Sequence, residues 1–272
     1  MFDTHIHTCN SGDSKQTIDE ICLTAIGKGL KCITITDHVD IEFTSEERNV
    51  ACFLGSAKDT AEAKKIYGDR IKIFFGTELA MPHSSTDKAK KLCSLADMDI
   101  ILGSVHLVNY KGKRIHLSDD DLSENAVSKE DIISILDQYY DDIIAAAETA
   151  DIDVLCHITY PFRYTNGKYN RGIDANLYSE KITRALKAII KRNIALEVNT
   201  AKLGTSYNYT SPTFDIVEKY FNLGGRMITI GSDAHSPEFL ANGFDYVKEE
   251  LKKIGFTEYY YFEKRKPIAV KL

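Results

Sequence analysis

Two histidines two residues apart, His5 and His7, stand at the head of the chain in the run Asp3-Thr4-His5-Ile6-His7. On an extended strand, side chains two apart project from one face, so this spacing sets two imidazoles side by side as a chelating pair, with Asp3 on the same side. A half-buried strand whose histidines are satisfied by ordinary hydrogen bonds would carry the same motif. The rest of the chain separates the two readings. Histidine or carboxylate recurs at the end of further apolar runs: His38 after Cys32 to Thr36, Glu78 after Ile71 to Thr77, His106 after Ile100 to Val105, His157 after Val154 to Cys156, and Asp233 with His235 after Met227 to Gly231. Six of the eight histidines fall at such ends, and only His83 and His116 lie elsewhere. Histidines placed in a core at random would not follow strand ends, whereas clustered imidazole and carboxylate donors mark metal sites. Donors of this kind, without paired cysteines, suit zinc, manganese or iron. They are too many for one ion. A carboxylate such as Glu78 can bridge two ions, and a hydroxide held between them is a nucleophile at neutral pH, because coordination lowers the pKa of water to about 7. Such centres favour hydrolysis of phosphate esters.

The elements that must position these residues alternate along all 272 residues. Apolar, β-branched runs predict strands over 2–7, 32–36, 71–78, 100–106, 154–157, 194–199 and 227–231. Helical spacing falls at 18–28, 57–67, 87–95, 128–149 and 177–191, and two more helices are predicted to open at Ser211-Pro212 and Ser236-Pro237. Residues 39–48 and 107–127 read as long polar loops, and 259–272 as a short strand or hairpin. With no linker and no fixed-period repeat, the pattern predicts one α/β domain over 1–272, a parallel barrel whose strand ends open onto a common rim. Seven strands are legible where a standard barrel needs eight.

Composition narrows the partner. At 43% hydrophobic and 27% charged the chain reads as a globular protein, and no apolar stretch approaches the ~20 residues that span a bilayer. Candidate chemistry beginning at position 3 predicts no signal peptide, and the expected compartment is the cytoplasm. The six cysteines form no C-x-x-C pair and read as reduced thiols. A net charge of −6 argues against a nucleic-acid surface, and no phosphate-binding glycine loop is present. The expected partner is a small phosphate monoester, with no nucleic acid and no membrane; the oligomeric state stays open.

Taken together, Asp3-Thr4-His5-Ile6-His7, Thr36-Asp37-His38, Gly76-Thr77-Glu78, Ser104-Val105-His106, Cys156-His157 and Gly231-Ser232-Asp233-Ala234-His235 resemble the polymerase and histidinol phosphatase (PHP) family over nearly the whole chain. Asp13, the run Ile158 to Tyr164 and the run Leu196 to Thr200 look most like its monofunctional histidinol-phosphate phosphatases of histidine biosynthesis. The resemblance implies a distorted (β/α)7 TIM-like barrel, a centre of three divalent metal ions (Zn, Mn and/or Fe), and hydrolysis of L-histidinol phosphate to L-histidinol and phosphate by a metal-bridging hydroxide. It implies one metal at His5, His7, Glu78 and Asp233, a second at Glu78, His106 and His157, and a third at Asp13, His38 and His235. Many family members have histidine where this chain has Asp13, and the harder carboxylate bears on which metal is held there. Arg163 is the candidate for orienting the phosphoryl group, because a guanidinium offers forked donors to phosphate oxygens; an exposed loop arginine paired with a carboxylate is the plainer alternative. The catalytic set is therefore Glu78, Asp233, His235 and Arg163. Asp40, Glu42 and the acidic 107–127 loop, with Asp119, Asp120 and Asp121, are expected to meet the cationic end of the substrate. Asn199 and Glu197 line the pocket, support the ligands or pack at the core edge, and Asp37 is expected to orient neighbouring groups rather than bind metal. Cys9 reads as a small buried hydrophobe rather than a thiolate ligand, and His83 and His116 as solvated loop histidines. The competing functions are another PHP phosphoesterase acting on nucleotides or sugar phosphates, and a noncatalytic metal-binding module.

Overall fold

The computed structural model describes residues 1–118 and 120–272. The apolar runs form the strands β1 (Phe2–Ile6), β2 (Cys32–Ile35), β3 (His38–Asp40), β4 (Lys72–Ala80), β5 (Ile100–Ser104), β6 (Leu107–Tyr110), β7 (Lys113–His116), β8 (Val154–Leu155), β9 (Ala195–Asn199), β10 (Ile228–Gly231), β11 (Glu258–Glu263) and β12 (Lys266–Lys271). The helices are α1 (Ile18–Gly27), α2 (Glu46–Tyr67), α3 (Thr86–Cys93), α4 (Lys129–Thr149), α5 (Ser179–Arg192), α6 (Phe214–Asn222) and α7 (Phe244–Ile254). Seven strands pair in parallel in the order β1-β2-β4-β5-β8-β9-β10. The sheet's outer strands then meet: Ile6 bridges Ala234, and the Asp233 amide donates to the His5 carbonyl at 2.8 Å. The fold is a distorted TIM-like (β/α)7 barrel.

Alternation along β5 shows how the strands divide their sides. Ile101 packs into the large cluster formed with α4, while Ile100 and Leu102 meet Val154, Cys156 and Ala195 in a separate one. Phe262 of the β11–β12 hairpin fills that second cluster, and Tyr261 stacks on Phe2 and Phe74. The predicted C-terminal hairpin is thus a plug. Arg265 at its turn fastens it with paired contacts to Asp151 and Asp153. Opposite to it lies the rim of strand C-termini, left for chemistry.

Four departures from the sequence reading concern that rim. The 39–48 loop is shorter than expected: β3 occupies His38–Asp40, and α2 starts at Glu46 because the Ser45 hydroxyl accepts from the Arg48 amide as its cap. Its first turn is polar and Val50 to Leu54 is an unbroken apolar run, so neither stretch shows helical spacing. Within 107–127, β6 and β7 form an antiparallel hairpin turning at Lys111-Gly112, both at positive φ, the turn that suits a two-residue connection. Of its acidic run, Asp119 lies outside the described residues. Helix α6 begins after Thr213, not at Ser211, which instead pairs with Asn199. Pro237 opens a short 3-10 turn, Pro237–Phe239, ahead of α7.

Candidate metal centre

Strand ends place the ligands. Register sets His38 of β3 beside Glu78 of β4, and His5 lies on β1 next to β10. His106, His157, Asp233 and His235 sit just past their strands, where the ladder has stopped and side chains can turn inward. His157 and Asp233 take positive φ to do so, at 23° and 53°. The strand predicted to run to His157 accordingly ends at Leu155, and the one predicted to run to His106 ends at Ser104.

Glu78 is the hub. Fully buried, it aims Oε2 at His5 Nε2 (3.4 Å), His7 Nε2 (3.5 Å) and His38 Nδ1 (2.7 Å), and Oε1 at His106 Nε2 (3.1 Å) and His157 Nε2 (2.8 Å). Asp233 Oδ1 completes one side, 3.7 Å from His5 Nε2 and 3.3 Å from His7 Nε2. On the other, more open side, Asp13 Oδ2 lies 3.2 Å from His38 Nε2 and 3.1 Å from His235 Nε2. All nine residues expected as metal ligands are therefore in one cluster.

The hydrogen bonds decide which nitrogens carry protons. The Ser11 hydroxyl spends its single hydrogen on Asp37 Oδ1, so it accepts from His7 Nδ1, which therefore bears a proton. Glu197 likewise accepts from His5 Nδ1, at 2.6 Å. Both rings then turn a bare Nε2 lone pair to the centre, and those two nitrogens are 3.0 Å apart. Two lone pairs and two carboxylate oxygens at this spacing repel one another unless a proton or a metal cation sits among them. Bonds of about 2.1 Å to a tetrahedral ion put ligand atoms roughly 3.4 Å apart. The five separations among His5 Nε2, His7 Nε2, Glu78 Oε2 and Asp233 Oδ1 given above run from 3.0 to 3.7 Å. A second sign is that Glu78 Oε2 and His38 Nδ1, although close, make no hydrogen bond among the described residues. His235 repeats the orientation: its Nδ1 donates to the Asp233 carbonyl, which turns Nε2 to Asp13. The donor set fits divalent metal.

Charge is correspondingly polarised. Burial opposes ionisation of Glu78, yet His106, His38 and His5 hold its pKa well below the usual carboxylate range. Asp233 is pulled down by His5, His7, His235 and Arg163, again against its burial. Burial also opposes protonation of His5, but Glu197, Asp233 and Glu78 outweigh it and raise its pKa well above the ordinary histidine value. His7 goes the other way, lowered by burial and by the neighbouring His38 and His235.

A family comparison fits this geometry. The model of the PHP domain matches residues 3–201. The chain belongs to the PHP domain family. It is 30% identical over 267 residues to a probable histidinol-phosphatase of Clostridium acetobutylicum, covering 97% of this chain and 98% of the relative. It is 29% identical over 280 residues to a probable histidinol-phosphatase of Thermotoga maritima, covering the whole of both. Among solved structures, the histidinol phosphate phosphatase of Lactococcus lactis, complexed with zinc, L-histidinol and phosphate, aligns with a TM-score of 0.81 at 21% identity, over 98% of each chain.

The PHP centre floors a cavity of about 770 Å³. Arg163 lines it but is buried, not the exposed loop arginine of the plainer reading: Nη1 donates to Asp233 Oδ2 at 3.2 Å and Nη2 to Asn199 Oδ1. Asn199 itself is fully buried behind Arg163 and does not reach the cavity, so its expected substrate contact gives way to support of Arg163, Asp233 and Glu197. Asp40 lines the wall, with Oδ1 taken by the amides of Glu42 and Phe43 and its pKa raised by burial. Glu42 is exposed and outside the lining, because the turn Asp40 caps points it away. Cys9 is exposed rather than buried, in a 3-10 turn after β1 has ended. His83 is largely buried with Nε2 3.5 Å from Asp142, and His116 lines the cavity from β7; neither is a solvated loop histidine. Sequence reading missed Lys202. It lines the cavity beside Arg163, and burial followed by that guanidinium lowers its pKa. Its position just past β9 was the available signal.

Proposed function

We propose that this chain hydrolyses L-histidinol phosphate to L-histidinol and phosphate, with residues 1–272 acting as one unit that holds three divalent ions (Zn, Mn and/or Fe). The observation that carries the reading is Glu78, whose two oxygens face two different groups of imidazoles. His5, His7, Glu78 and Asp233 would hold one ion, Glu78, His106 and His157 a second, and Asp13, His38 and His235 a third. Bound divalent ions acidify water and offset phosphate charge, which is the chemistry a phosphomonoesterase needs at neutral pH.

The chain's own residues do the rest. Arg163 and Lys202 bring two cationic groups to one wall, where phosphate oxygens can accept from them. The same Arg163 holds Asp233 in place, so phosphate binding and ligand geometry are coupled. Asp40, which also lines the cavity, favours the cationic end of histidinol. In the reaction the ester P–O bond breaks, the water oxygen joins phosphorus, and the alcohol leaves with a proton. Among the described residues no helix is long and apolar enough to cross a membrane. All six cysteines are unpaired, which supports a reducing compartment and so a cytoplasmic placement.

A panel of phosphate monoesters tests the reading: histidinol phosphate is expected to give the highest kcat/KM, with oxygen from labelled water appearing in phosphate. Nucleotides or sugar phosphates cleaved as well or better would move the assignment to another PHP phosphoesterase. No hydrolysis by metal-loaded protein would leave a noncatalytic metal-binding module.

A further inference from the structure

We infer that Glu197 is a positioning residue that sets the tautomer of His5 and so aims its lone pair at the metal; the inference rests on the metal-centre reading above. Glu197 is fully buried on β9. A carboxylate there is tolerated only when its oxygens are well supplied with donors. Three are present: His5 Nδ1 reaches Oε1 at 2.6 Å, while the His157 amide (3.1 Å) and Asn199 Nδ2 (3.2 Å) reach Oε2. The Asn199 orientation is fixed in turn, since its Oδ1 accepts from Arg163 and from the Ala201 amide. One carboxylate therefore ties together two expected ligands, His5 through its ring and His157 through its backbone.

The glycine at 231 supplies independent support. A Cβ placed there would stand 2.4 Å from Glu197 Oε1 and 2.6 Å from His5 Cβ. Residue 231 must lack a side chain for the acid and the imidazole to meet. Glu197 stands behind the ring rather than among the donors around the ion: it meets His5 at Nδ1, while the opposite nitrogen, Nε2, faces His7 and Glu78.

Glu197→Gln exposes the role. Its amide has one accepting and one donating end, and the two donors at the Oε2 side outvote the single one at His5. The amide oxygen then faces His157 and Asn199, the NH2 faces His5 Nδ1, and His5 must move its hydrogen to Nε2, where it blocks the metal. Loss of such a partner costs about 10- to 100-fold in metal affinity.

Zinc affinity, read by competition with a chromophoric chelator, is expected to fall by that factor in Glu197→Gln, and Glu197→Asp, which keeps an acceptor-only group, is expected to recover part of it. Gly231→Ala is expected to weaken zinc binding with Glu197 intact. Nitrogen-15 spectra of zinc-loaded wild-type protein are expected to show the His5 hydrogen on Nδ1, a readout that does not depend on any variant folding. The inference is overturned if that hydrogen is absent, or if Glu197→Gln lowers the melting temperature while binding zinc with unchanged affinity. Wild-type protein that takes up no zinc would instead remove the metal-centre reading itself.

Discussion

Replacing Arg163 with alanine separates the two tasks the structure gives that side chain. Its guanidinium is almost wholly buried and donates to Asp233 Oδ2 and Asn199 Oδ1. Without it, Asp233 Oδ2 keeps, among the described residues, the Asn199 side-chain amide at 3.2 Å. Removing one partner of a buried ion pair costs about 3–5 kcal/mol. Bound metal would share the carboxylate's charge, so the deficit should be largest in chelator-treated protein. Taking about 3 kcal/mol, and roughly 2–4 °C per kcal/mol for a chain near this size, Arg163→Ala is expected to lower the melting temperature of metal-free protein by roughly 6–12 °C. The sign of its pH dependence follows from Asp233, whose pKa in the fold is depressed. Stability from a depressed carboxylate is complete above its unfolded value near 4 and is lost as the pH falls towards the folded value, so the deficit should shrink in acid. Loss of a charge that meets the phosphoryl oxygens should also reduce kcat about 10²- to 10³-fold and raise KM. Arg163→Lys retains charge but not the fork that reaches both Asp233 and Asn199, and should recover activity only in part. Thermal melts with and without chelator, and steady-state kinetics on histidinol phosphate, make the measurement. An unchanged metal-free melting temperature would refute the buried-pair argument, and unchanged kcat and KM would take Arg163 out of the site.

Lys202→Ala should raise KM for the ester about 10-fold or more, the worth of one charge-assisted hydrogen bond, without lowering the melting temperature, because it removes a cation that sits beside Arg163; a melting temperature that falls with KM unchanged would count against a phosphate contact. Chelation is expected to abolish hydrolysis while far-ultraviolet circular dichroism keeps its native form, since the barrel has apolar clusters and a hairpin plug of its own; unfolding on chelation would contradict that independence. Metal analysis of reconstituted protein should exceed one equivalent and approach three, and one equivalent or less would sink the trinuclear proposal. Metal affinity should fall as the pH is lowered through the raised pKa values of His5 and His38, because protons and metal compete for the same lone pairs, and calorimetry showing pH-independent affinity would argue against those ligands.

The barrel and eight of the nine ligand candidates were legible because both rest on backbone periodicity; Asp13, in the turn-rich loop after β1, came only from the resemblance to the PHP family. A parallel strand is a short apolar run, and its C-terminal end is the place where a side chain leaves the core for the rim, so His38, Glu78, His106, His157 and Asp233 were marked by position as much as by type. What periodicity does not encode was misread. The start of α2 rests on one Ser45 cap and a polar first turn, and the β6–β7 hairpin rests on positive φ at Lys111 and Gly112, neither of which alters the hydrophobic pattern. Substrate-facing assignments fared unevenly for a related reason. Asp40 and Glu42 are two residues apart, yet Asp40 turns its carboxylate back to cap the loop at the cavity wall while Glu42 faces solvent.

The supporting groups illustrate why a ligand motif is incomplete as an account of the site. His5-x-His7 predicts two imidazoles on one face, but an imidazole has two nitrogens, and the strand does not say which is bare. That choice is made by Glu197, 192 residues from His5 in sequence, and by Ser11, whose hydroxyl is committed to Asp37. Only when both are in place do the two Nε2 atoms meet at 3.0 Å, an arrangement that must hold either a proton or a metal cation. The barrel's own apolar packing holds the donors together, so a metal ion that enters displaces the proton held there, and its affinity carries the pH dependence of that exchange.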